Sequence, residues 1–360
     1  YRMTGNISWG LKSPDIEDLK DLTIWVWTES LWAPITFTRA ALSEDANNGG
    51  SRYSSDEWRD WWCSDDAAVY QFIGQDNIFF YCIVQNPLWD ALDWGLITDT
   101  PVANYHILFM NKKASSSGAI KPPMAEELLE FYTPEQLRAH WLSLGLDQRA
   151  VSFSPKAFDT SVSRKGKDGE PDLLVKDDPR VVDPALKESA FLTNIFNRMA
   201  RSCLYGAANA CGGHLPISEP HQEVIDAAQE VLLKYEQLAY GFDAHSALAA
   251  VDEYARAENK RWGEASKAAQ GNDEAYDQAL ADAFYALKTI TLLMHPAVPE
   301  GCERIADALN FPHEEFFSWE NAFMGPKELA AKLGQSPEEH QLEELPPRFD
   351  FFKAHPSQKN

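Results

Sequence analysis

The sequence predicts two architectures in succession, an α/β region followed by an all-α region. Three apolar runs with the composition of strands, residues 22–27, 68–73 and 105–110, lie in the first third of the chain. Apolar runs that alternate with longer polar connections are typical of a buried, mostly parallel sheet. From residue 183 onward, apolar residues recur instead at helical spacing, which indicates helices that pack against one another.

Helices are predicted between and after the apolar runs of the first region. Residues 56–62 form one, and residues 125–132 and 134–144 form two more beyond the third run. The last of these has a clear start, because Thr133 is a favourable capping residue and a proline occupies the first helical position.

Beyond residue 183, five helices with short connections are predicted. Val224, Val231 and Leu232 illustrate the spacing, since they fall on one helical face. Antiparallel helices with short loops form a bundle. The expected bounds of the five helices are residues 184–206, 220–241, 243–265, 273–295 and 299–309.

The domain organisation follows from the change of pattern. A stretch rich in Ser, Lys, Asp, Gly and Pro with little periodicity separates the two regions, which is typical of a surface linker. We therefore predict an α/β domain over residues 1–150, a linker over 151–183, a helical domain over 184–310 and a packed, largely extended tail over 311–360.

Composition excludes several classes of protein. With 360 residues and a hydrophobic fraction of 44%, the chain can form two or three domains and is not a disordered protein. No apolar run reaches the about 18 residues that cross a bilayer, and no secretion signal is visible. The five cysteines lack Cys-x-x-Cys spacing, which disfavours a zinc site and is typical of reduced thiols. We expect a cytoplasmic protein without a metal site and without a membrane partner.

The net charge of −23 is unfavourable for a nucleic-acid partner, because phosphate contacts are made by Lys and Arg. Much of this charge lies in short acidic runs such as residues 126–130 and 338–344, whose simplest interpretation is solubility. A local basic groove is still compatible with this negative net charge. The chain also starts without methionine, and its first apolar run needs neighbouring strands, so we expect a truncation; a trimmed ordinary domain is the alternative.

Two features suggest chemistry. Residues 113–118, Lys-Ala-Ser-Ser-Ser-Gly, follow the third apolar run and have the composition of a mobile phosphate-handling loop. Asp76 follows Gly74 at the end of the second run, which places a carboxylate at the carboxyl edge of the predicted sheet, where ligands bind. The alternative for Asp76 is a capping role for the next helix.

Four segments resemble methionyl-tRNA synthetases, a class I family, and they occur in the family's order. Residues 2–10 are similar to the family pattern Arg-x-Ile-Ser-Arg-Asp-x-x-Trp-Gly, and residues 25–35 to Val-Trp-x-Asp-Ala-Pro-Ile-Gly-Tyr. Residues 72–78 resemble Phe-Ile-Gly-Lys-Asp-Ile, and residues 113–117 resemble the signature loop Lys-Met-Ser-Lys-Ser.

The helical region extends the resemblance. Asn197 and Arg201 keep the Asn-x-x-x-Arg spacing of the family's first anticodon-domain helix, which puts both side chains on one face. Trp262 stands where the family has a tryptophan that can stack on an anticodon base. Without the resemblance, a solvated helix face and a core or rim aromatic are the simpler interpretations.

The resemblance spans residues 2 to about 309. It implies the second half of a class I Rossmann-type catalytic domain followed by an antiparallel α-helical anticodon-binding bundle. It also implies an ATP-dependent aminoacyl-tRNA ligase whose cofactors are ATP and Mg²⁺ and whose partners are tRNA and methionine or a similar amino acid. The family's His-Ile-Gly-His motif has no counterpart in this sequence, so a missing amino-terminal half is a further expected partner.

The resemblance assigns roles to eleven residues in three groups. The groups are the catalytic loop with Lys113, Ser115, Ser116 and Ser117, the amino-acid and adenylate site with Trp27, Glu29, Asp76 and Tyr81, and the anticodon readers Asn197, Arg201 and Trp262.

Several departures from the family pattern bear on activity. Ser116 replaces the loop lysine that is expected to stabilise charge on the phosphates. Tyr81 stands for a histidine and Gln85 for a tryptophan of the methionine pocket, so the amino-acid specificity is open. Two alternative functions therefore remain, a diverged enzyme that activates an amino acid for an acceptor other than tRNA and a non-catalytic tRNA-binding relative. Salt-dependent tRNA binding and amino-acid-dependent pyrophosphate exchange distinguish the three.

Overall fold

The computed structural model describes most of the chain. The ranges are residues 3–50, 52–96, 100–113, 121–159, 161–165, 171–175, 182–187 and 189–358, with the backbone alone at residues 28, 29, 161–165 and 171–175. By its internal contacts, the chain divides into two compact units, residues 1–106 and 107–360.

The first unit combines short strands with short helices. Its strands are β1 (Thr4–Gly5), β2 (Thr23–Ile24), β3 (Tyr70–Gly74) and β4 (Thr100–Asn104), and its helices are α1 (Trp27–Ser30), α2 (Ala33–Asn47), α3 (Trp58–Trp62) and α4 (Asn86–Leu92). β1 pairs antiparallel with β2, and β3 pairs parallel with β4, with Tyr70 opposite Thr100. A tight helical turn and a wide, π-type segment, Phe79–Gln85, connect β3 to α4.

The core of the first unit is rich in tryptophan. Trp62 and Trp89 are buried and meet edge to face, with ring centroids 5.7 Å apart. The indole nitrogen of Trp62 donates a hydrogen bond of 2.9 Å to the hydroxyl of Thr38 on α2. Trp62 lies on α3, Trp89 on α4 and Thr38 on α2, so these contacts join three helices.

The second unit begins with a small sheet and continues into helices. Its strands are β5 (Ile107–Phe109), β6 (Lys112–Lys113), β7 (Val151–Phe153), β8 (Ser161–Lys165) and β9 (Pro171–Val175). Its helices are α5 (Ala125–Leu128), α6 (Pro134–Ser143), α7 (Asn197–Ala210), α8 (Gln222–Tyr240), α9 (Ala244–Ala268), α10 (Asp273–Met294), α11 (Pro299–Ala308), α12 (His313–Phe316) and α13 (Pro326–Lys332). β5 is parallel to β7 and antiparallel to β6, and β8 and β9 form a hairpin.

The predicted elements are found with changed bounds. The described residues form four small sheets rather than one mostly parallel sheet, because their strands of two to five residues pair with only one or two neighbours. The first apolar run is a strand only at β2, since α1 begins at Trp27. The helix expected over residues 184–206 is interrupted: a short turn, Pro184–Leu186, and a π-type segment, Phe191–Phe196, precede α7.

The predicted boundary also differs from the observed units. Residues 151–183 were expected to be a linker, but β7 belongs to the sheet of the second unit, and that unit starts at residue 107. The assignment of functional domains to residues 1–150 and 184–310 stays a prediction.

α10 is the central helix of the second unit. Every residue from Ala283 to Met294 on it is buried, and α7, α8, α9 and α11 all pack on it. Lys288 is buried among these apolar residues, and its ammonium group donates to the backbone carbonyls of Asn321 and Ala322. The region before α13 is therefore fixed to α10 by a buried cation.

The tail packs closely on the helices. Phe351 and Phe352 are 0% and 2% exposed, and Phe352 lies against Gly301 near the start of α11. A Cβ atom on Gly301 would overlap the Phe352 ring. The tail also contains α12 and α13, which were not predicted. Among the described residues, no helix is long and apolar enough to cross a membrane.

We predict that Gly301→Ala destabilises the second unit. The added methyl group must displace the Phe352 ring from a filled core, which typically costs about 1–3 kcal/mol. Gly263→Ala is the matched control, since Gly263 lies inside α9 with open space at its Cβ position and the change should stabilise by about 0.5–1 kcal/mol. Urea unfolding followed by far-UV circular dichroism measures both, and equal effects would contradict the close Phe352 contact.

We also predict a pH-dependent contribution of Lys288 to stability. Burial lowers the pKa of Lys288 to about 8, while Glu328 acts in the opposite direction. The unfolded chain therefore holds more protons between pH 8 and about 10.4, and the lysine's contribution to stability rises with pH in that window by up to about 1.4 kcal/mol per unit.

Comparing the wild type with Lys288→Met isolates this contribution. The cysteine thiols and tyrosine phenols that also titrate in this pH range are present in both proteins. The stability of the wild type relative to the variant should increase from pH 8 to pH 10 in urea unfolding experiments. A pH-independent difference would show that burial does not lower the pKa of Lys288.

Candidate functional site

The carboxyl end of β3 carries the predicted carboxylate. Gly74 is the last residue of β3 and pairs with Asn104 at the end of β4, and the exposed Asp76 lies in the turn that follows. A Cβ atom on Gly74 would lie 2.7 Å from Oδ1 of Asp76. Glycine at this position therefore lets the carboxylate fold back over the end of the strand.

Trp27 and the segment after Asp76 meet in a ring stack. The Trp27 and Phe80 rings are parallel within 6°, with centroids 4.1 Å apart. Tyr81 follows Phe80 in the same π-type segment and is half-buried. The structure describes the backbone of Glu29, which lies in α1, but not its side chain.

The amino-terminal segment joins the same assembly. β1 lies within residues 2–10 and pairs with β2, directly before residues 25–35. The buried hydroxyl of Thr23 donates to the carbonyl of Ile7 at 2.8 Å. The segments at residues 2–10 and 25–35 thus lie side by side in the first unit, and Trp27 of the second contacts Phe80, two residues beyond the third.

Gln85 has a structural role that its sequence position did not reveal. Its side chain is 0% exposed, accepts a hydrogen bond of 2.7 Å from Gln71 on β3 and donates one of 2.8 Å to the carbonyl of Leu31. The amide thus links the sheet, the π-type segment and the end of α1. The sequence shows only one glutamine in each of two apolar segments. This pattern is too weak to predict a buried hydrogen bond between the two side chains.

Lys113 ends the strand β6. Two residues with positive φ, Met110 and Asn111, form the tight turn between β5 and β6, and Leu108 pairs with Lys113 across the ladder. Lys112 and Lys113 are both exposed, so this edge presents two cations to solvent. The loop residues Ser115, Ser116 and Ser117 lie outside the described residues.

The predicted anticodon readers contact the protein's own tail. Asn197 is 1% exposed, and its side chain bonds to the backbone of Phe352. Arg201 forms an ion pair of 2.7 Å with Asp350. In this structure both polar groups face the tail, so reading of a base by either would require the tail to move.

Trp262 is buried in the bundle. It is 6% exposed, its indole nitrogen donates to the hydroxyl of Ser202 at 2.7 Å, and its ring meets Tyr276 edge to face. This environment is that of a core aromatic, and stacking on a base would require Trp262 to leave it. Among the described residues, no group of three His, Cys, Asp or Glu side chains could hold a metal ion.

The comparisons with known proteins agree with the segments described above. Residues 1–165 match the family model described as tRNA synthetases class I (M). The methionine–tRNA ligase of Methanoculleus marisnigri is 23% identical over 316 residues, which cover 86% of this chain and 41% of the relative. That of Thermococcus onnurineus is 25% identical over 343 residues, which cover 88% of this chain and 41% of the relative. The chain thus spans about two fifths of the length of these relatives.

A solved structure shares the fold. Mycobacterium tuberculosis methionyl-tRNA synthetase bound by methionyl-adenylate superposes with a TM-score of 0.69 and 18% sequence identity. The superposition covers 98% of this chain and 60% of the solved chain. The similarity includes both compact units, because it extends over nearly every residue.

We predict that Gln85→Leu destabilises the first unit by about 1–3 kcal/mol. The substitution removes the donor to the Leu31 carbonyl and the acceptor of the bond from Gln71, and loss of a buried hydrogen-bond partner carries a desolvation penalty. Gln237→Leu, at an exposed position of α8, is the control and should change stability by less than about 0.5 kcal/mol. Tryptophan fluorescence during urea unfolding reports the first unit, and a neutral Gln85→Leu would contradict the buried bridge.

Proposed function

We propose that this chain, which is similar to methionyl-tRNA synthetases of class I, forms part of a cytoplasmic, ATP-dependent aminoacyl-tRNA ligase. In the proposed reaction, the carboxylate of methionine or a similar amino acid attacks the α-phosphate of ATP, and the aminoacyl group then passes from the adenylate to tRNA. The observation that carries this proposal is the packing of Trp27 on Phe80, because it joins residues 25–35, which resemble the family, to the chain directly after the resembling residues 72–78. The names of the matched relatives support the same activity.

Asp76 is the proposed contact for the adenylate or the amino group. Its carboxylate is exposed at the carboxyl end of a parallel pair of strands, the edge at which α/β sheets bind ligands. An ionised carboxylate only accepts hydrogen bonds, so its partners would be an ammonium group or hydroxyl groups. The stacked Trp27 and the adjacent Tyr81 would form an aromatic wall for the amino-acid side chain.

Lys113 and the serines at 115, 116 and 117 are the proposed phosphate contacts. Lys112 and Lys113 supply positive charge, and serine hydroxyl groups donate to phosphate oxygens. Mg²⁺ would be held mainly by the phosphates of ATP, since this ion commonly binds through substrate phosphates and few protein carboxylates. It would supply charge neutralisation on the phosphates.

We also propose that an amino-terminal half completes the first unit and covers a face of its parallel strands. Parallel sheets are normally covered on both faces, whereas Tyr70 and Phe72, which share one face of β3, are 53% and 66% exposed. The motif His-Ile-Gly-His expected of the family would be carried by that half.

A second candidate is an enzyme that activates an amino acid for an acceptor other than tRNA. The charge of the helical region favours it, because residues 184–310 contain ten Lys and Arg against eighteen Asp and Glu. Gln85 also favours it, since a buried amide stands where the family has a pocket tryptophan. A tRNA-binding relative without catalysis is the third candidate, and it would bind tRNA in a salt-dependent manner without exchanging pyrophosphate.

Methionine-dependent exchange of pyrophosphate into ATP tests the first proposal. We expect exchange when the chain is joined to an amino-terminal half that carries His-Ile-Gly-His. Lys113→Ala should lower the rate about a hundredfold, because it removes a charge that stabilises the transferring phosphates. Lys234→Ala, at an exposed position of α8, should leave the rate unchanged.

The outcomes distinguish the candidates. Exchange together with salt-dependent tRNA binding supports the ligase, and exchange without tRNA binding supports the second candidate. No exchange with any of the standard amino acids in the joined protein would overturn the proposal.

A further inference from the structure

The carboxyl-terminal tail is held on the bundle by four polar side chains. Residues 346–352, here called the tail segment, cross α7 and the start of α11. The four side chains, here called the tail clamp, are Asn197, Arg201, Tyr205 and Arg304. All of them lie in the second unit.

Asn197 bonds to both backbone polar groups of Phe352 in the tail segment. Its Nδ2 donates to the Phe352 carbonyl at 2.7 Å, and its Oδ1 accepts from the Phe352 N–H at 2.9 Å. A further bond from Nδ2 to the Thr193 carbonyl uses its remaining donor. Both donors of this amide are therefore used, and the side chain is 1% exposed.

Arg201 and Tyr205 hold the next part of the tail segment. Arg201 Nη1 lies 2.7 Å from Oδ1 of Asp350 and 3.3 Å from the Phe349 carbonyl. The Tyr205 hydroxyl donates to the Pro346 carbonyl at 2.8 Å and accepts from the Phe349 N–H at 3.4 Å. Because residues 201 and 205 are one helical turn apart on α7, they form a continuous row with Asn197.

Arg304 and apolar contacts complete the attachment. Arg304 donates through Nε at 2.9 Å and through Nη2 to the Phe351 carbonyl. The ring centroids of Phe352 and Phe196 are 4.9 Å apart.

The chemistry of these contacts matches what unpaired RNA offers. The donor and acceptor that Phe352 presents to Asn197 correspond to the edge of a base, which an amide side chain reads by the same pair of bonds. The Asp350 carboxylate occupies the position on Arg201 that a phosphate would take. The tail segment thus satisfies the two predicted readers with groups that imitate RNA.

Resting on the proposed function, we propose that the tail segment is an autoinhibitory strap that an anticodon loop must displace to reach Asn197 and Arg201. RNA would then bind only the fraction of molecules whose tail is open, and its apparent affinity falls by that fraction. Weakening the tail without touching the readers should therefore strengthen RNA binding.

Binding of an RNA hairpin with the anticodon stem and loop of a methionine tRNA tests this at fixed salt. Asp350→Asn and Tyr205→Phe, which loosen the strap, should each raise the affinity about five- to tenfold. Glu344→Gln is the charge-matched control, because it removes one negative charge from the same tail at an exposed position, and it should raise affinity less than twofold.

Hydrogen exchange gives an independent measurement in the unmodified chain. The Phe352 amide is protected by its bond to Asn197, and a saturating amount of the hairpin should speed its exchange at least tenfold. Truncation of the chain after Leu345 should give the highest affinity for the RNA hairpin. If that variant is unstable, hydrogen exchange in the unmodified chain still tests the strap.

The outcomes separate the strap from the proposed function. RNA binding with unchanged Phe352 exchange and no gain in Asp350→Asn and Tyr205→Phe would overturn the strap and leave the ligase proposal standing. No RNA binding by any variant would overturn both the strap and tRNA as the acceptor. Faster Phe352 exchange together with the gain in affinity establishes the strap.

Discussion

A buried carboxylate joins three parts of the second unit. Glu135, at the start of α6, is 7% exposed and accepts a hydrogen bond of 2.6 Å from the Gly301 N–H in the first turn of α11. That N–H is one of the free donors at a helix start, where a negative charge is favoured. Burial raises the pKa of Glu135, while the Gly301 N–H and Arg304 act in the opposite direction.

The surroundings of Glu135 extend this contact across the unit. Arg304 reaches Glu135 at 3.4 Å and also binds the Phe351 carbonyl, so the same cation serves α6, α11 and the tail. Arg138, one turn further along α6, donates to the carbonyls of Pro296 and Ala297. Helix α6 is therefore fixed to α11 and to the residues before it by polar bonds at the ends of helices. Gly301 contributes twice, through its N–H and through the space that it leaves for Phe352.

The sequence predicted helices better than strands, for physical reasons. α6 and α10 begin at residues whose capping chemistry is local, as the reciprocal bonds between Thr133 and Gln136 illustrate for α6. Strand length depends on partners far along the chain, and so the bounds of β2 could not be derived from residues 22–27. Of the candidate site, the sequence placed Asp76 at a strand end, and the resemblance assigned Trp27 to the same amino-acid and adenylate site. It could not foresee the burial of Asn197 or Gln85, because their partners are 155 and 54 residues away.

The tryptophan-rich core of the first unit has a spectroscopic consequence. Nine of the twelve tryptophans of the chain lie in residues 1–106, while the long helices α8, α9 and α10 belong to residues 107–360. Indole emission is therefore dominated by one unit and the helical circular dichroism signal by the other. Coincident transitions of the two signals would mean that the units unfold as one cooperative block, and separate transitions would give each unit its own stability. The uneven distribution of one residue type thus makes the cooperativity between the units measurable without any label.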